Sequence, residues 1–364
     1  MRISIVGTVG VPANYGGFET LIENLLKYHD AISTKDSITV YCSSKSYPEK
    51  MSTYLSAKLR YIPFNANGAQ SVIYDIFSLF FAVWNRSNTI LLLGVSGAIA
   101  LPFIQMVSSA RIVTNIDGIE WRRKKWQGVA KLFLRLSEKI AVKFSDEVIA
   151  DNAAIADYVR ETYGVESSVI AYGGDHAVAA TAAPVSEYAL PDKFAFSVCR
   201  IEPENNVHLI VDAFSRQNLI ALVMVGNWKN SEYGQKIRAR YAACEHLFLL
   251  DPIYDLGKLK TLRAQAEFYI HGHSAGGTNP SLVEAMHFAK PIFAFDCSFN
   301  RATTEEKAMF FVDSDTLLYL INSTSAFSAE ELGRNLQAVA QRRYTWNVVA
   351  EQYFSLLSKS AVKH

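Results

Sequence analysis

A polar loop between a short apolar run and a helical pattern is the stretch of this sequence best suited to binding chemistry. The loop follows residues 268–270, contains paired glycines, and leads through Asn279 and Pro280 into a helical pattern that carries Glu284. Unpaired backbone amides at a helix start attract anions such as phosphates, and a carboxylate one turn later can accept a sugar hydroxyl. The pattern suits a nucleotide diphosphate, with an ordinary strand-loop-helix unit as the alternative.

A second candidate loop follows the apolar run 194–199 and begins with Arg200. A guanidinium at a strand end can bind a diphosphate through two parallel hydrogen bonds, and Asn205 or Asn206 can cap the next helix. The alternative is a surface ion pair between Arg200 and one of the two glutamates of the loop, which would contribute little to stability.

Two loops in the first half of the chain also carry unusual residues. The loop after the first apolar run has Gly16 and Gly17 at a helix start, where glycines let a backbone approach a ligand closely. Tight strand-helix packing is the alternative, and the missing G-x-G-x-x-G spacing disfavours NAD. After another apolar run, Asp117 and Glu120 can bind hydroxyls or take a proton, while turn formation and helix capping are their structural alternatives.

A cluster of cations between two tryptophans follows Glu120. It consists of Trp121, Arg122, Arg123, Lys124, Lys125 and Trp126. The next helical pattern repeats cations at four-residue spacing beside apolar residues, at Lys131, Arg135, Lys139 and Lys143. Together they indicate contact with an anionic membrane surface, and a solvated helix face is the alternative.

Composition limits the function classes. The chain has 364 residues, half of them apolar and a fifth charged, which predicts a folded protein of two domains. A net charge of +1 argues against nucleic-acid binding, which needs a broad basic surface. The four cysteines are scattered without a CxxC pair, which argues against a zinc site or a disulfide framework.

The elements that must position these residues alternate regularly. Predicted strands are residues 3–6, 37–42, 58–62, 90–93, 111–115, 147–150, 168–171, 194–199, 220–225, 247–250, 268–270, 291–295 and 309–312. Predicted helices include residues 18–28, 72–84, 129–144 and 153–163. Strands that are apolar on both faces and separated by helices imply parallel sheets covered on both sides. Residues 89–107 are long and apolar enough to span a membrane, but Gly94, Gly97 and Pro102 favour strand-turn-helix.

Four motifs carry a family resemblance. PANYGGFET, NIDGIEW, RIEPENN and HGHSAGGTNPSLVEAM resemble glycosyltransferases of family 4 with the GT-B fold, and more narrowly a bacterial rhamnosyltransferase-like subgroup that assembles capsular and other surface polysaccharides. The resemblance covers essentially the whole chain. It implies an α/β protein with two Rossmann-like doubly wound domains facing a cleft. The acceptor-side domain would be residues 1–172 and the donor domain 192–343, with a linker at 173–191 and a C-terminal helix at 344–364 packing back on the first domain.

The resemblance also implies roles for single residues. Arg200 matches the arginine that holds the donor diphosphate, and Glu284 matches the second acid of a Glu-x7-Glu motif, which binds the ribose. Gly16 and Gly17 match a glycine loop that approaches the diphosphate, and Asp117 falls where many relatives have a histidine near the reacting sugar carbon. The remaining residues expected to bind the donor are Asn205, His273, Gly277, Thr278, Asn279 and Ser281.

Two departures from the family pattern affect this expectation. Gly276 stands where the first acid of the motif would fall, and Asn205 replaces the lysine that usually accompanies the phosphate-binding arginine. Contacts to the sugar would then come from backbone amides and from His271, His273, Thr278 or Asn279.

The resemblance implies a retaining transfer, with Asp117, Arg200 and Glu284 as catalytic residues and no metal ion or other cofactor. The donor would be a dTDP-, UDP- or GDP-sugar, with rhamnose as the candidate sugar, and the acceptor a lipid-diphosphate-linked or saccharide molecule. Such an acceptor implies a cytoplasmic protein at the inner face of the plasma membrane. The alternatives are another GT-B-fold enzyme, such as a sugar-nucleotide epimerase, and a non-catalytic nucleotide-sugar-binding partner.

Overall fold

The computed structural model describes residues 1–13, 16–123, 126–323 and 328–359. The chain divides into two compact units, the first formed by Met1–Ala171 with Trp346–His364 and the second by Tyr172–Thr345. Within the described residues, no helix is long and apolar enough to cross a membrane.

The first unit is built on a mostly parallel sheet. Its strands in the described residues are β1 (Arg2–Val6), β2 (Ser37–Ser43), β3 (Thr53–Tyr54), β4 (Ala57–Ile62), β5 (Thr89–Leu93), β6 (Arg111–Asn115), β7 (Glu147–Ala150) and β8 (Ser168–Val169). They pair in the order β3-β4-β2-β1-β5-β6-β7-β8, and β3 runs antiparallel to β4. Strands β5 and β6 are buried along their whole length, as expected when helices cover both faces of a parallel sheet.

Helices cover this sheet. They are α1 (Gly17–Ile32), α2 (Ser71–Trp84), α3 (Leu101–Val107), α4 (Gly128–Phe144), α5 (Ala153–Tyr163) and, at the end of the chain, α14 (Trp346–Leu357). Helix α14 lies beside α1, where the rings of Phe354 and Tyr28 stack with centroids 6.0 Å apart. The buried Arg111 donates to the carbonyl of Leu356 at 2.6 Å, which fixes the end of α14 against the sheet.

The second unit holds a fully parallel sheet in its described residues. The strands are β9 (Phe194–Val198), β10 (Ala221–Val225), β11 (Leu247–Leu250), β12 (Phe268–His271), β13 (Ile292–Phe295) and β14 (Met309–Phe311), in the order β11-β10-β9-β12-β13-β14. The helices are α6 (His176–Ala179), α7 (Val207–Ser215), α8 (Glu232–Arg240), α9 (Leu256–Gln265), α10 (Pro280–Met286), α11 (Ser298–Thr304), α12 (Ser314–Asn322) and α13 (Ala329–Arg343). The apolar core lies between these helices and the sheet.

Each sheet reverses its strand order at one place. In the first unit the reversal lies between β1 and β5, and in the second between β9 and β12. Loops diverge from the carboxyl ends of the strands at such a switch point and leave a crevice, which is where α/β sheets bind ligands. The loops after β1, β9 and β12 border these two crevices.

The alternation predicted from the sequence is confirmed, with element ends shifted by a few residues. Residues 89–107 form β5, a turn and α3, which confirms strand-turn-helix over a membrane span. The short edge strand β3 was missed, because two residues carry no period. The glycine- and alanine-rich residues 173–191 contain α6 and pack within the second unit, where Lys260 donates to the carbonyls of Val178 and Ala180.

Candidate functional site

Two loops at the switch point of the second unit are joined by hydrogen bonds. The amide side chain of Asn206, in the loop after β9, donates to the carbonyl of Gly272, in the loop after β12, at 3.0 Å. Ser274 donates to the carbonyl of Glu204 through its backbone amide at 3.0 Å and its hydroxyl at 2.8 Å. Glycine is needed at 272, because a Cβ would lie 2.2 Å from the carbonyl oxygen of Asn205. The loop that begins with Arg200 is thus held against the loop that leads to Glu284.

Arg200 presents its guanidinium at the end of β9. The side chain is 49% exposed and lies 3.9 Å from Glu202, a weak surface pair. Asn205, which the sequence assigns to donor binding, is buried and donates to the carbonyl of Arg200 at 2.7 Å. Its amide therefore fixes the backbone of Arg200, while the guanidinium keeps donors for an anion.

Glu284 lies in α10, and its carboxylate contacts two basic side chains. One oxygen lies 3.2 Å from Nε2 of His176, and the other pairs with the guanidinium of Arg263. Burial raises the pKa of Glu284, but Arg263 and then His176 lower it more, so that the pKa falls below its ordinary value of 4.5. The carboxylate is ionised at neutral pH, and its oxygens retain lone pairs for hydroxyl donors. This arrangement can support the predicted ribose contact.

Neither partner of Glu284 was identified from the sequence. Arg263 is 4% exposed, and a buried charge of this kind requires an opposite charge. It lies beside Leu262 on the buried face of α9, but the sequence of this helix has too weak an apolar periodicity to mark the arginine as buried. His176 reaches Glu284 because Gly174 packs against α10, where a Cβ would lie 2.7 Å from the Glu284 amide nitrogen. No periodic pattern points to His176.

His271 and His273 stack at the end of β12. Their ring centroids are 4.4 Å apart and their planes differ by 10°. His271 is 1% exposed, and neither ring nitrogen has a hydrogen-bond partner in the described part of the chain. Burial, and then the neighbouring His273, hold the pKa of His271 well below 6.5. The carbonyl of His273 accepts a hydrogen bond from Asn300 at 2.8 Å, which anchors the pair. Because its pKa is lowered, His271 is neutral at physiological pH.

The other residues predicted to bind the donor lie around the start of α10. Gly277 and Thr278 are buried, and Asn279 and Ser281 are half-buried. Asn279 occupies the N-cap position, but its side chain makes no capping hydrogen bond. Gly276 has φ +109°, a conformation that favours glycine, although a Cβ there would only come within 3.7 Å of the Asn279 side chain. Backbone strain, not space, would oppose an acid at residue 276.

In the first unit, a buried carboxylate holds the glycine loop after β1. Glu19 accepts from the Thr8 hydroxyl at 3.0 Å and from the Val9 amide at 2.8 Å. Gly16 has φ +143°, and a Cβ there would lie 1.8 Å from the Glu19 carboxylate. In the described part of the chain, no atom outside the adjacent backbone lies within 4 Å of where a Cβ of Gly17, the first residue of α1, would lie. Gly16 is therefore required by packing, whereas Gly17 borders open space.

Asp117 follows β6, one strand beyond the switch point of the first unit. It is exposed and has φ +60°, which aspartate adopts more readily than most residues. Its amide donates to the side chain of Asn115 at 2.8 Å, and Asn115 donates to the hydroxyl of Tyr353 at 2.6 Å. A strained backbone held by a buried network is typical of functional positions.

The tryptophans of the predicted membrane patch are bonded within the protein. Trp121 donates to Glu138 at 3.2 Å and Trp126 to Glu120 at 2.8 Å. Arg123 also pairs with Glu120, at 3.3 Å. Three cations lie 5.3–5.6 Å from the centroid of the Trp121 ring, namely Arg122, Lys131 and Arg135. Lys124 and Lys125 lie outside the described residues. Membrane contact by this patch stays a prediction.

Comparison with known proteins agrees with a fold of two Rossmann-like units. The profile of the family "Glycosyl transferases group 1" matches residues 182–316, and that of a domain of unknown function, DUF1972, matches residues 1–175. Sucrose-phosphate synthase from Thermosynechococcus elongatus superposes with a TM-score of 0.79 at 16% identity, over 98% of each chain. This chain is a GT-B-fold glycosyltransferase.

Two further structures superpose on this glycosyltransferase over nearly their full length. HepE from Anabaena in complex with UDP has a TM-score of 0.72 at 15% identity, over 98% of this chain and 100% of its own. The catalytic domain of starch synthase IV from Arabidopsis thaliana, bound to ADP and acarbose, has a TM-score of 0.73 at 12% identity, over 100% and 99%. No curated protein sequence matches the chain. The group 1 segment includes both loops of the second switch point, whereas Gly16, Gly17 and Asp117 lie in the DUF1972 segment.

Proposed function

We propose that this glycosyltransferase moves a sugar, with rhamnose as the candidate, from a dTDP-, UDP- or GDP-sugar to a lipid-linked or saccharide acceptor. The setting would be the assembly of a surface polysaccharide such as a capsule. The observation that carries the proposal is the pair of joined loops in the second unit, which place a half-exposed guanidinium and an ionised carboxylate at a switch point. The HepE structures, which contain UDP or UDP-glucose, support a nucleotide donor.

Arg200 would act on the leaving group. In a retaining transfer, the bond between the sugar carbon and the diphosphate oxygen breaks while the acceptor oxygen bonds the same face of that carbon. The acceptor proton passes to the departing diphosphate, which acts as the base. Arg200, held by Asn205, would stabilise the negative charge that develops on the diphosphate, the largest single effect available to the site. We assign no metal ion to this step, so turnover is expected to persist in a chelator.

Glu284 would hold the donor nucleotide. Its carboxylate is oriented by Arg263 and His176 before any ligand arrives, so that little ordering is needed on binding. Ribose hydroxyls would donate to the remaining lone pairs. His271, His273 and the polar residues Thr278 and Asn279 would contact the sugar, where the acid of the wider family is replaced by Gly276.

The first unit would bind the acceptor. Asp117 is exposed at a strand end and can accept hydrogen bonds from hydroxyls. The open space beside Gly17 allows a substrate to approach the backbone of the loop. A lipid-linked acceptor would be met at the inner face of the plasma membrane, which makes peripheral association part of this proposal.

A panel of nucleotide sugars incubated with purified protein and a lipid-diphosphate-linked acceptor tests the proposed reaction. We expect one donor to give an acceptor heavier by one sugar residue, with the anomeric configuration of the donor retained in the product by NMR. An epimerase would instead change the donor sugar without any acceptor. A binding partner would show affinity for the donor without product, and either result would overturn the proposal.

A further inference from the structure

Helix α2 exposes a wholly apolar face. Every exposed side chain of this helix is a large hydrophobic group, namely Ile73, Phe77, Phe80, Phe81 and Trp84. Their spacing places them on one side of the helix, opposite the buried Tyr74, Ser78 and Leu79. Trp84 is 85% exposed. A surface helix normally exposes polar residues to solvent, whereas α2 exposes large apolar residues.

The apolar surface continues onto α3 and α4. The ring centroids of Phe80 on α2 and Phe103 on α3 are 5.6 Å apart, and Gln105 on α3 donates to the carbonyl of Phe144 at the end of α4. The exposed apolar side chains of α3, its preceding turn and α4 are Ile99, Phe103, Met106, Val107, Val129, Leu132 and Leu136. In the described part of the chain, these three helices and the turn before α3 hold twelve of the twenty-one exposed large hydrophobic side chains. Such a concentration marks an interaction surface.

The exposed charged side chains of α2, α3 and α4 themselves all have one sign. Helix α4 exposes Lys131, Arg135, Lys139 and Lys143 beside its apolar residues. The carboxylates of α2, α3 and α4 are Asp75 and Glu138, and both are 2% exposed. Asp75 bonds to Ser96, and Glu138 accepts from Trp121, so neither neutralises the exposed cations. The surface therefore pairs apolar area with positive charge and offers no exposed carboxylate.

We propose that the faces of α2, α3 and α4 form a docking surface for an anionic lipid bilayer. The aromatic and aliphatic side chains would enter the interface between headgroups and acyl chains, and the lysines would contact anionic headgroups. A second copy of this chain fits less well, because a two-fold contact would place the α4 cations of one copy against the same patch of the other. This surface would explain how the protein binds the membrane, as the proposed function requires. It consists of residues other than Trp121–Trp126.

Sedimentation with vesicles tests this surface. We compare vesicles of phosphatidylcholine alone with vesicles of phosphatidylcholine and phosphatidylglycerol in equal parts. The unmodified protein is expected to bind the anionic vesicles, and bromine-labelled lipid is expected to quench Trp84, with Trp84→Phe as the reference. Because two deeply inserted side chains are lost, Trp84→Ser/Met106→Ser is expected to weaken vesicle binding about tenfold or more. Lys139→Gln/Lys143→Gln should weaken binding to anionic vesicles about tenfold.

The matched control is Leu219→Ser/Tyr319→Ser, which removes exposed apolar side chains of the second unit and should bind as the unmodified protein does. Equal vesicle binding by Trp84→Ser/Met106→Ser and by this control would overturn the proposal. A second result would also overturn it. If the unmodified protein is a dimer in solution, and Trp84→Ser/Met106→Ser makes it a monomer without changing vesicle binding, the surface binds a second copy of the chain. The assay contains neither donor nor acceptor, so its failure is distinct from a failure of the proposed transfer reaction.

Discussion

At the scale of single residues, the proposed donor site of the second unit depends on charges that are fixed before a ligand binds. Glu284 is held by Arg263 and His176, and the backbone of Arg200 is held by Asn205. The two members of the ion pair differ in exposure, since Arg263 is 4% exposed and Glu284 is 17% exposed. Arg263 therefore serves the fold, while Glu284 can serve both the fold and a ligand.

This difference predicts a separation of stability from donor binding. Glu284→Gln leaves the buried Arg263 without its counter-charge and is expected to lower the free energy of unfolding by about 3 kcal/mol. Arg263→Met/Glu284→Gln removes both charges and should recover most of that loss, because an apolar group can replace a buried pair. Donor affinity should stay low in both variants. Urea unfolding and calorimetry with the active nucleotide sugar measure the two quantities, and recovery of affinity in the double variant would exclude ribose binding by Glu284.

How far single residues could be predicted from the sequence depends on whether a local motif marks them. Arg200 and Glu284 stand at fixed places in strand-loop-helix motifs, so their location at one switch point was predictable. His176 was not, because it reaches Glu284 through the packing of Gly174 on α10, a tertiary contact with no periodic signal. Asn205 was assigned to the donor, whereas its side chain contacts the backbone of Arg200.

At the scale of elements, two adjacent glycines at the start of α1 differ in the structural reason for having no side chain. Gly16 needs φ +143° and has no room for a Cβ beside Glu19, whereas Gly17 has open space in front of it. The motif PANYGGFET does not distinguish them, because a sequence reports neither backbone angles nor neighbours. The loop's position after β1, by contrast, followed from the apolar run that precedes it.

Replacing Gly16 and Gly17 by alanine, one at a time, distinguishes a role in packing from a role in substrate contact. Gly16→Ala should lower the melting temperature and, through the displaced loop, activity as well. Gly17→Ala should keep the melting temperature, since among the described residues no atom outside the adjacent backbone lies within 4 Å of the new methyl group, and alanine suits a helix. Its kcat/KM should nevertheless fall about tenfold if a substrate approaches this backbone. Thermal unfolding and transfer kinetics test both variants, and full activity of Gly17→Ala would remove the loop from the site.

At the scale of the whole molecule, two Rossmann-like units were predictable, because the chain contains two successive series of alternating strands and helices. The exposed apolar surface was not. A periodic pattern shows which side of a helix is apolar, and that side is normally taken to face the core. In α2, however, large apolar residues lie on the exposed face. The sequence indicated membrane contact by the cations of α4 and by the segment that contains Trp121 and Trp126, whose indole groups bond to Glu138 and Glu120, but it gave no sign of the faces of α2 and α3.

The central claim is that the second unit stabilises a departing nucleotide diphosphate through Arg200, and steady-state kinetics of Arg200→Ala test it most directly. The matched control is Arg334→Ala, which removes a surface guanidinium that is 64% exposed on α13 of the same unit. We expect Arg200→Ala to keep the melting temperature and to lose roughly 100- to 1000-fold in kcat, the usual loss when one stabilising donor is removed. The control should keep full turnover. Equal turnover in the two variants would contradict the claim.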